Sequence, residues 1–209
     1  RLLGLTTIRL EGGESLSFAV SALSEGELKA GRRKPANGSA YIGWLKRYME
    51  LERSRDLKRL LDWCKKWTAG DPESAFAWCA LGNAQSRLNR QDEAIEAYRK
   101  ALSVDPAYVE AAIGLGNAYS QLDRFEESIE AYRRALGINP EYAEAWFNLG
   151  NAYVRLKRFD ESIEAYRRSV RIDPKNGMAW NNLGFSYGSL KRHDEAVEAF
   201  QQRLLIKPD

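Results

Sequence analysis

The sequence predicts an all-α protein, a solenoid of short helix–turn–helix units behind a short segment that does not repeat. Two observations predict it. Five of the six prolines, Pro72, Pro106, Pro140, Pro174 and Pro208, fall 34 residues apart. Proline cannot continue a helix and turns the preceding residue away from α geometry, so evenly spaced prolines are evenly spaced breaks. Between the breaks, apolar residues recur at the offsets of a helix face, and the same pattern returns in every interval. A unit of that size cannot bury a hydrophobic face alone, so its neighbours must stack on it.

Units starting at Ala75, Val109, Ala143 and Gly177 bring the pattern into register. Position 4 reads Trp78, Ala112, Trp146, Trp180; position 7 is Leu81, Leu115, Leu149, Leu183; position 8 is Gly82, Gly116, Gly150, Gly184. Position 11 adds Gln85, Tyr119, Tyr153 and Tyr187. These offsets lay one apolar stripe along a first helix, and the glycine lets a neighbouring helix come close. A second stripe runs through position 20 (Ala94, Ser128, Ser162, Ala196), position 24 (Tyr98, Tyr132, Tyr166, Phe200) and position 27 (Ala101, Ala135, Ser169, then Arg203). Trp78, Trp146 and Trp180 are core by phase.

The charges read as solvated helix faces. Asp92, Glu126, Asp160 and Asp194 open the second helices, and Lys100, Arg134 and Arg168 lie near their ends, as the helix dipole favours. Glu96–Lys100, Glu130–Arg134 and Glu164–Arg168 are spaced for i, i+4 ion pairs with the acid first.

Segments such as AWCALGNAQSRLNRQDEAIEAYRKALSVDP and AWFNLGNAYVRLKRFDESIEAYRRSVRIDP resemble the tetratricopeptide repeat family. The resemblance covers residues 75–208. It implies a right-handed superhelix divided into repeats 75–108, 109–142, 143–176 and 177–209, the last without a capping helix. Residues 41–74 phase as a degenerate unit that keeps Trp44 and Pro72 but has Arg47 and Tyr48 for the Leu–Gly pair. Leu60, Cys64 and Trp67 stand in it where small or aromatic residues recur elsewhere, and Trp63 and Trp67 are expected to form the hairpin's buried seam.

Residues 1–40 fall outside the repeat. LLGLTTIRL and LSFAVS read as two short strands around the EGGES turn, which makes 1–30 a candidate β-hairpin segment and 31–40 a linker. The stretch GLTTIRLEGGESLSFAVSALSEGEL resembles the last strands of trypsin-like serine proteases of the high-temperature-requirement type, with Gly4–Ile8 and Phe18–Val20 as the matching strands. That resemblance implies a regulatory or substrate-recruiting tail of a protease and a periplasmic location; without it the expectation is cytoplasmic. The only histidine, His193, sits between two helices, so no catalytic residue is expected here.

Net charge is +3, divided as +4 over residues 1–74 (14 basic, 10 acidic) and −1 over 75–209 (18 basic, 19 acidic). Neither balance makes a nucleic-acid footprint, and no apolar run approaches the roughly 18 residues of a membrane span. Two cysteines and one histidine do not gather into a metal site, and no cofactor is expected. Cys64 and Cys79 are expected as free thiols.

What remains is binding. In the family, positions 2, 5, 6, 9, 12 and 13 of the first helix line a concave groove. Here these positions supply Asn83, Arg87, Ile113, Asn117, Phe147, Asn148, Asn151, Arg155, Asn181 and Asn182 as candidate peptide-binding residues. Asparagine carries a donor and an acceptor and can pair with a peptide backbone without demanding a sequence. Asn117 with Asn148, and Asn151 with Asn182, would be the central rungs, unless these residues only bond the neighbouring helix. Phe147, Ile113 and Phe76 offer apolar pockets, and Arg87 and Arg155 could meet a carboxylate. Cys79, Ile113 and Phe147 at position 5, with Glu110 and Glu144 at position 2, depart from the basic pattern of relatives that grip a C-terminal carboxylate. The expected function is therefore protein–protein interaction, with a peptide or partner protein in the groove. Self-association through the last unit, as a structural scaffold, is the alternative.

Overall fold

The computed structural model describes residues 38–206, and side chains from residue 43. The candidate strands and the protease-like stretch lie outside the described residues. The chain divides into two units, Arg1–Leu45 and Lys46–Asp209. Among the described residues all secondary structure is helical: α1 Gly38–Ser54, α2 Leu57–Gly70, α3 Ala75–Arg87, α4 Gln91–Val104, α5 Val109–Gln121, α6 Phe125–Ile138, α7 Ala143–Arg155, α8 Phe159–Ile172, α9 Gly177–Ser189 and α10 His193–Leu205. His193 thus opens α10 rather than lying between helices.

Successive helices from α2 onward pack in chain order, and α3, α5, α7 and α9 also touch one another in sequence. These first helices therefore form one continuous wall, with the second helices α4, α6, α8 and α10 outside it. The close approach within each pair depends on glycine. A Cβ on Gly116 would sit 2.5 Å from the Tyr132 ring, and one on Gly150 2.6 Å from Tyr166. The rings occupy the space that a side chain would need.

From α3 onward the turn between paired helices is the same each time. Just past α3 the N–H of Asn89 reaches Ser86 O at 2.9 Å and that of Arg90 reaches Gln85 O at 3.0 Å; Lys157 and Arg158, and Lys191 and Arg192, repeat this. This is a Schellman closure with its left-handed residue at position 15. Arg55, Asn89, Asp123, Lys157 and Lys191 all have φ of 56–60° there, although none is glycine. Asn89 and Asp123 suit this conformation, whereas Arg55, Lys157 and Lys191 give no sign of it.

The proline loops are tied down by position 4. Trp78 Nε1 donates to Pro72 O at 2.8 Å, Trp146 to Pro140 O at 2.7 Å and Trp180 to Pro174 O at 3.0 Å. These indoles are therefore half-buried loop anchors rather than deep core. Where Ala112 replaces tryptophan, Arg134 of α6 reaches Pro106 O instead, at 3.1 Å.

No ion pair forms between Glu96 and Lys100, Glu130 and Arg134, or Glu164 and Arg168. The recurring pairs are Arg90–Glu93, Arg124–Glu127, Arg158–Glu161 and Arg192–Glu195. Three of these arginines also lie over the position-11 tyrosine of their unit, Arg124 at 4.6 Å from the Tyr119 centroid, Arg158 at 4.8 Å from Tyr153 and Arg192 at 4.7 Å from Tyr187. The ring contact holds the cation at the start of the second helix, where the acid three residues on also suits the dipole.

Ahead of α3, aromatics replace the small residues. Tyr48, Trp67 and Phe76 pack ring on ring, with centroids 5.2–6.2 Å apart. Trp67 is fully buried and Trp63 only partly. Cys64 and Cys79 are buried free thiols, and burial pushes the Cys64 thiol up to about 12, helped by Glu52.

Candidate functional site

The wall of α3, α5, α7 and α9 carries a repeated polar relay. The Tyr98 hydroxyl donates to Asn83 Oδ1 at 2.7 Å, Tyr132 to Asn117 at 2.6 Å and Tyr166 to Asn151 at 2.7 Å. The next helix of the wall adds a second donor to two of these oxygens, from Asn148 Nδ2 to Asn117 at 3.3 Å and from Asn182 Nδ2 to Asn151 at 3.0 Å. Burial raises the pKa of all three tyrosines, so they stay protonated donors. The two expected asparagine pairs therefore exist, and their oxygens face inward to tyrosine. The Nδ2 groups of Asn83, Asn117 and Asn151 make no hydrogen bond among the described residues.

The other candidates fall into distinct places. Phe147 is half-buried, 6.0 Å from the Tyr166 ring, and Asn181 donates to Asn182 Oδ1 at 3.4 Å. Ile113 is buried in the core and supplies no open pocket. Arg87 is already bound to both oxygens of Glu52, at 2.6 and 2.7 Å, and Glu52 also accepts from the Tyr48 hydroxyl. Arg155 pairs with Asp123 at 2.9 Å and lies 4.6 Å from the Phe125 centroid. Both guanidiniums expected for a ligand carboxylate are thus engaged by carboxylates of the chain itself. Glu110 and Glu144 are exposed and make no ion pair among the described residues; they are among the causes, after burial, that raise the pKa of Tyr142.

Residue-by-residue reasoning passed over Phe185. It holds position 9 in α9, where the other units have asparagine, and is exposed with its ring edge-on to Phe159 at 6.3 Å. Its signal was the break in the asparagine column.

Among the described residues no group of His, Cys, Asp or Glu could hold a metal ion, and no helix is long and apolar enough to cross a membrane. A stacked wall of paired helices with a polar, regularly spaced face defines a helical-repeat interaction module. Family models described as "Tetratricopeptide repeat" match residues 79–143, 114–177 and 165–198. The chain belongs to the tetratricopeptide repeat family, and is a protein–protein interaction module rather than an enzyme.

Solved structures of MamA are similar to it. One crystal structure of MamA is 29% identical, covers 74% of this chain and 91% of its own, and superposes with a TM-score of 0.71. Another is 27% identical, covers 80% and 92%, and has a TM-score of 0.73. MamA from Desulfovibrio magneticus RS-1, at 20% identity with coverage of 78% and 92% and a TM-score of 0.72, shares the fold. No curated protein matches. None of the matching family models describes a protease.

Proposed function

We propose that the chain binds an extended peptide, or an extended segment of a partner protein, along the wall of α3, α5, α7 and α9. The observation that carries this reading is how Asn117 and Asn151 are held. Each amide oxygen is filled by two donors, while each amide nitrogen is left without a partner among the described residues. A peptide main chain offers a carbonyl acceptor at every residue, so donors set one per unit suit it without reading its side chains. Asn83 supplies a third donor of this kind, and Phe147 and Asn181 flank the row. With Arg87 and Arg155 committed to Glu52 and Asp123, the free charge beside the row is that of Glu110 and Glu144, which favours neutral or basic segments.

The test is fluorescence anisotropy with a library of fluorescein-labelled extended peptides, varied in charge. Asn117→Asp with Asn151→Asp keeps the acceptor for tyrosine and removes the free N–H donors. Loss of binding in that variant, with folding intact, supports the groove; unchanged binding contradicts it.

A second copy of the chain is a second candidate partner. The exposed apolar side chains Met178 and Phe185 of α9 favour it.

A further inference from the structure

A cavity of about 470 Å³ opens between α6, α7 and α8, a volume in the range of small-ligand sites. Buried Leu136 and Leu149 and the half-buried Trp146 indole supply its apolar lining. Trp146, Leu149 and Tyr153 share one face of α7, whereas Asn148 and Asn151 lie on another, so the cavity is separate from the asparagine row. Exposed Gly137 leaves one side open, since a Cβ there meets nothing within 4 Å.

Three charged residues border this space. Arg133 donates to the Tyr153 hydroxyl at 2.7 Å. Glu161 is paired with Arg158; that bond chiefly, and Arg133 in smaller part, lowers its pKa. Glu164 makes no hydrogen bond and no ion pair among the described residues. An uncommitted carboxylate beside an indole and aliphatic side chains suits a cation carried on an apolar stem.

The adjoining repeats hold the same place with different contents. One repeat back, Ala112 stands for Trp146 and the indole is missing. One repeat on, a cavity of about 570 Å³ between α8, α9 and α10 has Trp180 and Glu198 at the matching positions, and Arg171 lines it where Gly137 would stand. There the chain supplies its own guanidinium to the cavity that holds the indole and the acid. Between α6 and α8, glycine leaves that place open.

We propose that the cavity between α6, α7 and α8 takes an arginine side chain of a partner protein, its guanidinium over Trp146 and against Glu164, its methylenes on Leu136 and Leu149. Arginine fits better than lysine because its planar, weakly hydrated head both stacks on a ring and forks to a carboxylate. The fold already lays Arg124 and Arg158 over tyrosine rings in this way. The site does not depend on the groove reading.

The test is an NMR titration of the isotope-labelled full chain with N-acetyl-arginine methylamide, with the lysine, citrulline and glutamate analogues as comparators. The backbone amide of Gly137 and the indole N–H of Trp146 report on the cavity; the side-chain amides of Asn117 and Asn151 report on the groove. Arginine is expected to shift the cavity signals with half-saturation in the millimolar range. Citrulline, which keeps the shape without the charge, and Glu164→Gln should each weaken this by about three- to fivefold. Gly137→Leu fills the open side without displacing a neighbour and should abolish it, with thermal melts confirming that both variants fold. Cavity signals that stay still with arginine overturn the proposal. So does a stronger response to glutamate than to arginine, or an arginine response that survives both substitutions.

Discussion

The hydroxyl of Tyr132 donates to the amide oxygen of Asn117 at 2.6 Å, across the two helices of one unit. Asn148 of the next unit donates to the same oxygen at 3.3 Å. One acceptor thus joins the helices of a pair to each other and to the pair that follows, and the wall proposed to bind a peptide is built from the bonds that hold the stack.

Tyr132→Phe should lower stability by about 1–2 kcal/mol, since it removes one hydrogen bond and leaves Asn117 with a weaker partner. Chemical denaturation measures this. The same exchange already present at Phe200 has no such cost, because Phe185 asks for no donor.

Gly116→Ala and Gly137→Ala should move stability in opposite directions. A Cβ at Gly116 meets the Tyr132 ring at 2.5 Å, whereas at Gly137 it meets nothing within 4 Å. Overpacking of about 1–3 kcal/mol outweighs the helix propensity gained at the first site. At the second, propensity acts alone and should add about 0.5–1 kcal/mol. Thermal melts of the two variants decide it.

Lys157→Gly and Lys191→Gly should each stabilise the chain by about 0.5–1 kcal/mol. Both lysines hold a left-handed backbone, φ 57° and 60°, which costs an L-residue about 1–2 kcal/mol. Part of that gain is returned through the freer unfolded chain of glycine. Asn89→Gly should gain less, because asparagine tolerates this conformation. Urea midpoints of the three variants rank the effect.

Stability should fall on the alkaline side. Burial raises the Cys64 thiol from an ordinary 9.0 to about 12, so the folded chain keeps a proton that the unfolded chain gives up. That contribution is complete below about pH 9 and is lost as the pH climbs toward 12. Native thiols should accordingly resist a thiol reagent at neutral pH and react on unfolding. Rapid reaction of the native chain would contradict the buried placement of Cys64 and Cys79.

Much of the fold was legible in the prolines and in the columns at positions 7, 8 and 24, because helix breaking and helix packing both leave a period. Tertiary partners leave none. Of the i, i+4 pairs, Glu130–Arg134 fails where Arg134 is drawn to the Pro106 carbonyl and Glu96–Lys100 where Glu96 pairs with Arg99, contacts that sequence spacing does not weigh. Arg87 and Arg155 looked available because Glu52 and Asp123 are more than 30 residues away in the chain and adjacent only in the stack. The left-handed turns stayed hidden at Arg55, Lys157 and Lys191 because lysine and arginine stand where glycine would have marked them.

The most direct test is the side-chain amide NMR signals of Asn83, Asn117 and Asn151 during titration with a peptide from the library that binds. The groove reading predicts that these signals shift with the binding curve while the backbone signals of α4, α6 and α8 hold still. Shifts confined to the second helices, with the three amide signals unmoved, would contradict it.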